Sequence, residues 1–154
     1  MAGTLKVKIQ EDIILDNQDY GSKRVLEVGS IASIVKRIVN IGTDEIGLLG
    51  FGAAYNNELS KTYLAGQFDE DDVRYIRITN LDSSNSVNVA MVGASDNAQF
   101  VVPAGSSLMF GTPDDFMLGE ADTSPAFSSF EDLASIIVDS SSNAVDVELF
   151  IASV

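Results

Sequence analysis

The sequence predicts an all-β fold, an antiparallel β-sandwich of jelly-roll type, on three observations. Short runs with apolar/polar alternation recur along the chain, as in Leu5-Lys-Val-Lys-Ile9 and Val145-Asp-Val-Glu-Leu149. Clusters of Gly, Pro, Asn, Asp and Ser punctuate these runs at spacings that suit strands of a sandwich. No fixed-period repeat is present, which disfavours propellers and solenoids. With 154 residues, 45% of them hydrophobic and none of them cysteine, residues 1–154 form one domain large enough to bury a core without staples.

Each element follows from its own pattern. Leu5, Val7 and Ile9 share a face opposite Lys6 and Lys8, which predicts a half-buried first strand, and Ile13-Ile-Leu15 continues it after Glu11-Asp12. Asp16-Asn-Gln-Asp-Tyr-Gly21 is a turn cluster, and Arg24-Val-Leu-Glu-Val28 is a short strand ended by Gly29. Residues 31–41 fit two readings. Ile31, Ile34, Val35 and Ile38 have helical spacing, but the run is almost wholly β-branched, and such side chains lose rotamer freedom in a helix. Strand is the preferred assignment.

Glu45-Ile-Gly-Leu-Leu-Gly-Phe51 is expected to be a strand whose glycines permit a bulge or a close backbone approach. The pattern then dissolves over residues 52–72, a span long enough to be a functional or interface loop, with Asn56-Asn57 as a turn and 61–64 as at most a short element. Val73-Arg-Tyr-Ile-Arg-Ile-Thr-Asn80 and Val87-Asn-Val-Ala-Met-Val-Gly93 are expected to pair as a central hairpin around 81–86. Gln99–Val102 and Ser106–Phe110 flank Pro103-Ala-Gly105, where proline second and glycine fourth suit a type I turn. A second long loop covers 111–129. Leu133–Asp139 and Asp146–Ala152 close the chain as a last pair, tying the C-terminus into a sheet.

Charge narrows the function classes. The chain has 9 basic and 23 acidic residues, a net charge of −14. All the lysines and arginines lie at or before Arg77, so the second half is acidic throughout. Phosphate backbones and anionic lipid should be repelled, so neither nucleic acid nor membrane is expected as a partner. No apolar run approaches a membrane span, and the first residues lack the apolar core of a signal peptide, so a soluble, non-secreted protein is expected.

With no histidine and no cysteine, Ser-His-Asp and Cys-His catalysis and zinc–thiolate sites cannot be built. Carboxylate pairs remain, Glu70 with Asp72 and Asp114 with Asp115, but no tryptophan is present to stack a sugar. Asp69, Asp71 and Asp72 are weak calcium candidates; their run lacks calcium-loop spacing and reads more simply as a solvated acidic turn. Gly50-Phe-Gly52 superficially resembles a dinucleotide-binding turn, but Tyr55 stands where the third glycine belongs, so a packing role is favoured. Arg74 and Arg77 beside Tyr75 are expected to form an outward ladder paired with carboxylates. Tyr55, Tyr63, Phe68 and Phe116 are the candidate interface anchors, able to fold back on the core or to meet a neighbouring subunit. No cofactor is expected.

Val73–Leu81, Val87–Val92 and Phe100-Val-Val-Pro-Ala-Gly-Ser-Ser-Leu108, with the closing Val145–Ser153, resemble small β-sandwich virion proteins of tailed bacteriophages, marine ones in particular. The resemblance covers the second half of the chain and carries no catalytic motif. It implies a multi-copy, non-enzymatic structural protein, as a capsid decoration or cement protein or a neck or tail accessory. It further implies a homo-oligomer, with a trimer favoured, that contacts other virion proteins and resides in the virion after assembly in the host cytoplasm. The alternative is a carbohydrate-binding or adhesin-like β-sandwich module.

Overall fold

The computed structural model describes residues 2–52, 63–120, 123–140 and 142–154. Thirteen strands are present among them: β1 (Gly3–Glu11), β2 (Ile14–Leu15), β3 (Gln18–Asp19), β4 (Ser22–Ile31), β5 (Ser33–Ile41), β6 (Ile46–Gly52), β7 (Gln67–Asp69), β8 (Val73–Asn80), β9 (Val87–Val92), β10 (Asn97–Val102), β11 (Ser107–Phe110), β12 (Ser135–Asp139) and β13 (Val145–Ser153). The described residues contain no helix long and apolar enough to cross a membrane.

From β5 onward the chain is a jelly roll. One sheet has the order β11-β8-β13-β5 and the other β10-β9-β12-β6-β7. The pairs β5·β13, β6·β12, β8·β11 and β9·β10 are nested, so the chain doubles back on itself as one long antiparallel ribbon whose tip is the β9–β10 turn. Winding that ribbon adds the pairs β8·β13 and β9·β12, which complete the two sheets. Alternation then sorts side chains between faces. Val145, Val147, Leu149 and Ile151 of β13 point into the sandwich against Ile76 and Ile78 of β8 and Val87, Val89 and Met91 of β9, all buried in one core.

The expected hairpin between residues 73–80 and 87–93 does not form. β8 lies between β11 and β13, and β9 lies between β10 and β12, so each already has both neighbours in its own sheet. The link 81–86 crosses from one sheet to the other, and Asn80 makes that corner. Fully buried, it donates to the carbonyls of Asn85 at 2.9 Å and Val102 at 3.1 Å and accepts from the Asp82 N–H at 2.9 Å. Backbone N–H groups of Asn85 and Ser84 converge on the Asp82 carboxylate and hold it below its ordinary range. The expected closing pair fails likewise, since β12 and β13 belong to opposite sheets and buried Ser140, bonded to the Gly42 carbonyl at 2.8 Å, turns the chain between them.

Two further local expectations change. At Pro103–Ser106 the Ser106 N–H donates to the Pro103 carbonyl at 3.0 Å. Proline is therefore first, and Gly105 is third with φ +69°, the sign a type II turn demands there. This turn also joins opposite sheets, since β10 and β11 are not paired. Residues 67–69, inside the predicted loop, form β7, which runs parallel to the edge of β6. Residues 31–41 are strand, as their β-branched composition favours, but β4 continues past Gly29 to Ile31.

Residues 3–31 form an arm. β1 and β4 pair with each other and with no other strand, and β2 and β3 extend the ribbon around Asp16 and Asn17. Both residues have positive φ, 50° and 63°, as a two-residue type I′ turn requires. The root is anchored on the outer face of the four-stranded sheet. Ile31, Tyr75 and Ala152 are buried there, packed by Leu5, Val7, Val28, Phe150 and Val154. An extra residue in β4, with Ser30 at φ +60°, bends the arm where it leaves the sandwich.

The corner gives a direct test. Asn80→Ala leaves the buried Val102 carbonyl and the half-buried Asn85 carbonyl and Asp82 N–H without this partner, so it should lower unfolding free energy by about 2 kcal/mol. A urea titration checks this, and a loss within error would show that water replaces the amide.

Candidate functional site

Two surface features emerge from this architecture: an acidic cluster built from three segments, and the arm. In the cluster, the β7–β8 turn supplies Asp69 to Asp72, the loop after β11 supplies Asp114 and Asp115, and the approach to β12 supplies Asp132. The turn is held by Asp69 itself, whose Oδ1 accepts the Asp71 N–H at 3.1 Å and whose carbonyl accepts the Asp72 N–H at 3.3 Å. That leaves the sequence-predicted trio Asp69, Asp71 and Asp72 engaged as a turn, with Asp71 and Asp72 exposed.

A different trio comes closest to a cation-binding geometry. Carboxylate oxygens of exposed Asp114, Asp115 and Asp132 lie within 4.8 Å of one another. Asp115, at φ +46°, donates its backbone N–H to Asp132 Oδ1 at 2.8 Å. Such oxygens suit a hard cation, and calcium takes six to eight of them. Electrostatics follow from the crowding. Burial raises the pKa of Glu70 above its ordinary 4.5, helped by Asp132, Asp71, Asp69 and Asp114. The hydrogen bond with Asp132 raises Asp114, followed by partial desolvation and the charge of Asp115.

The aromatic candidates take their places in the chain's own packing. Tyr63 lies against Gly50, where a Cβ would meet its ring at 2.6 Å. The Gly50-Phe-Gly52 glycine is thus a seat for an aromatic ring. Phe68 pairs beside Phe51 and packs on the core. Phe116 packs there too, with its ring 5.1 Å from that of Phe110. Tyr55 lies outside the described residues. Arg77 forms the expected ladder, paired with Glu148 and set 5.8 Å over the Phe150 ring, and Lys36 joins Glu148 at 3.2 Å. Arg74 turns instead to backbone carbonyls, Asp71 at 2.6 Å and Val73 at 3.1 Å.

Sequence reading overlooked two positions. Glu131 accepts from Ala94 N–H at 3.1 Å, Ser95 N–H at 3.2 Å and Ser95 Oγ at 3.1 Å, clamping the β9–β10 turn from 36 or more residues away. No local pattern announces such a contact. The other is the arm tip, where Ile13, Ile14, Leu15 and Tyr20 are exposed, Ile14 by 76%. The apolar run Ile13-Ile-Leu15 was visible, but its lack of cover was not.

The raised carboxyls set a pH dependence. A group whose folded pKa exceeds its unfolded value binds its proton more tightly when folded. Its stabilising contribution is complete below the unfolded value and is lost as pH rises through the folded one. Glu70→Gln and Asp114→Asn should therefore raise Tm at pH 7 and lose that advantage below pH 3.8. Melting curves at both pH values check this, and an unchanged difference between them would count against crowding as the cause.

Comparison with protein-family models, with curated proteins and with solved structures returns no match to this chain.

Proposed function

We propose that this chain is a non-enzymatic structural component of a tailed-phage particle, present in many copies and acting through protein–protein contacts made by its arm. The observation that carries the reading is the uncovered arm. A two-stranded ribbon is marginally stable alone in water. This one keeps Ile13, Ile14, Leu15 and Tyr20 in solvent beyond a root that is firmly packed. Ile13 and Leu15 alternate onto one face of the tip and Ile14 onto the other, and exposed apolar surface gathered in this way marks an interaction site. Fully burying an exposed Ile or Leu side chain contributes roughly 1.5–3 kcal/mol, which sets the upper bound for each of Ile13, Ile14 and Leu15 against a partner. The jelly roll beneath is an architecture common to capsid proteins and lectins, and it supports the reading only by analogy.

A second reading, a carbohydrate-binding module, draws on one groove of about 310 Å³ on the five-stranded sheet. Asn88, Asn97, Gln99 and Asp139 line it, and Asp139 Oδ1 is buried without a hydrogen-bond partner. None of the described residues lining it is aromatic, which leaves a sugar no ring to stack on.

Immunogold labelling of particles from the culture that makes the chain tests the first reading. Many labels per particle are expected, and Ile14→Asp should reduce them severalfold. A chain found only outside particles, or one that binds a sugar saturably through Asn88 and Asp139, would overturn it.

A further inference from the structure

Building on the reading of this chain as an assembly subunit, we propose that the arm tip of one copy docks on the arm shaft of a second copy, in the groove between that shaft and β11. Copies then join head to tail.

The groove is apolar and open. It measures about 310 Å³ and is lined by Ile9, Leu26, Tyr75, Met109 and Phe110, with Arg24 as its cation. β11 is the edge strand of its sheet, so nothing pairs beyond it among the described residues. The tip is the matching half: Ile13, Ile14, Leu15 and Tyr20 are all exposed. Both halves are uncovered apolar surface on one molecule, and joining them removes both from water.

Charge selects this pairing over others. Tip residues 11–20 carry four carboxylates, Glu11, Asp12, Asp16 and Asp19, and no cation. Shaft residues 3–10 and 22–31 carry four cations, Lys6, Lys8, Lys23 and Arg24, against the single carboxylate Glu27. Lys6 is joined to Glu27 at 2.7 Å, whereas Lys8, Lys23 and Arg24 make no ion pair among the described residues. The rest of the chain, residues 32–154, holds 18 carboxylates against 5 cations. Body-to-body or tip-to-tip association would therefore set like charge against like charge. Only the shaft carries a positive excess; Arg24 stands in the groove while Lys6, Lys8 and Lys23 alternate onto the other face of the ribbon, and the tip presents carboxylates beside its apolar side chains. A tip-to-shaft contact is heterologous, because it uses two different patches. It closes into a ring when the rotation between copies permits, and otherwise runs on as a filament.

Paired charge reversals in the full chain test the contact. The tip variant carries Glu11→Lys and Asp12→Lys; the shaft variant carries Arg24→Glu, the cation that lines the groove. Each alone should weaken self-association in light scattering by about tenfold or more, and an equimolar mixture should restore it, since each variant then offers what the other lacks. Ile14→Asp should weaken association without rescue by either. Melting curves that match the wild type establish that the variants fold. An assembling wild type whose variants assemble equally well, or whose mixture fails to recover, overturns the tip-to-shaft contact. A wild type that stays monomeric at about millimolar concentration also overturns it. Particle labelling then judges the assembly reading separately.

Discussion

Strand β13 is the interaction on which the rest of the molecule depends. It pairs with β5 along nine residues and with β8 on its other side, so the last strand holds an early strand and a middle one in one sheet. Asn40 and Asp146, 106 residues apart, meet at 2.7 Å along that seam. Its inward row, Val145 to Ile151, supplies the centre of the core, while its outward row carries Glu148 and Phe150 to the arm's side of the sheet. Without β13, β5 loses its partner and the arm root loses part of its floor. Such distant pairing must close long loops before any contact rewards it, which places folding among the slower β topologies.

The same strand links stability to surface display. Tyr75 and Phe150 meet edge to face, with centroids 6.0 Å apart, and form the floor on which Leu5, Val7 and Val28 rest. The sandwich thus anchors one end of a ribbon whose other end stays in water. The acidic loop cluster has the opposite character. Its carboxyls crowd one another and raise the pKa of Glu70 and Asp114, so at neutral pH it is a source of repulsion within the fold.

Local chemistry made most of the elements legible. Alternation identified β1, β8, β9 and β13, and their faces came out as the sequence required. Val73 departs from the alternation that puts Tyr75 and Arg77 outward: the register slips beside it, and it joins the main core. β-branched composition correctly favoured strand over helix at residues 31–41. Strand β7 escaped because three residues are too few to show a period. The outward faces of Arg77 and Glu148 followed from alternation, whereas their pairing across β8 and β13, like Glu131 reaching Ser95, had no local signal.

By itself the sequence determined the fold class, most strand positions, the inward faces and the asymmetric charge, because each depends on period, propensity or composition within a few residues. Tertiary structure alone decided which strands are neighbours. Residues 73–80 and 87–93 read as a hairpin, since a six-residue link rich in turn residues allows one, yet Asn80 and its three hydrogen bonds turn that link across the sandwich. Exposure was decided at the same level. Tyr63, Phe68 and Phe116 pack within the chain, while Ile13, Ile14 and Leu15 remain in water. Apolar character is a property of the residue; burial depends on what the rest of the fold brings against it.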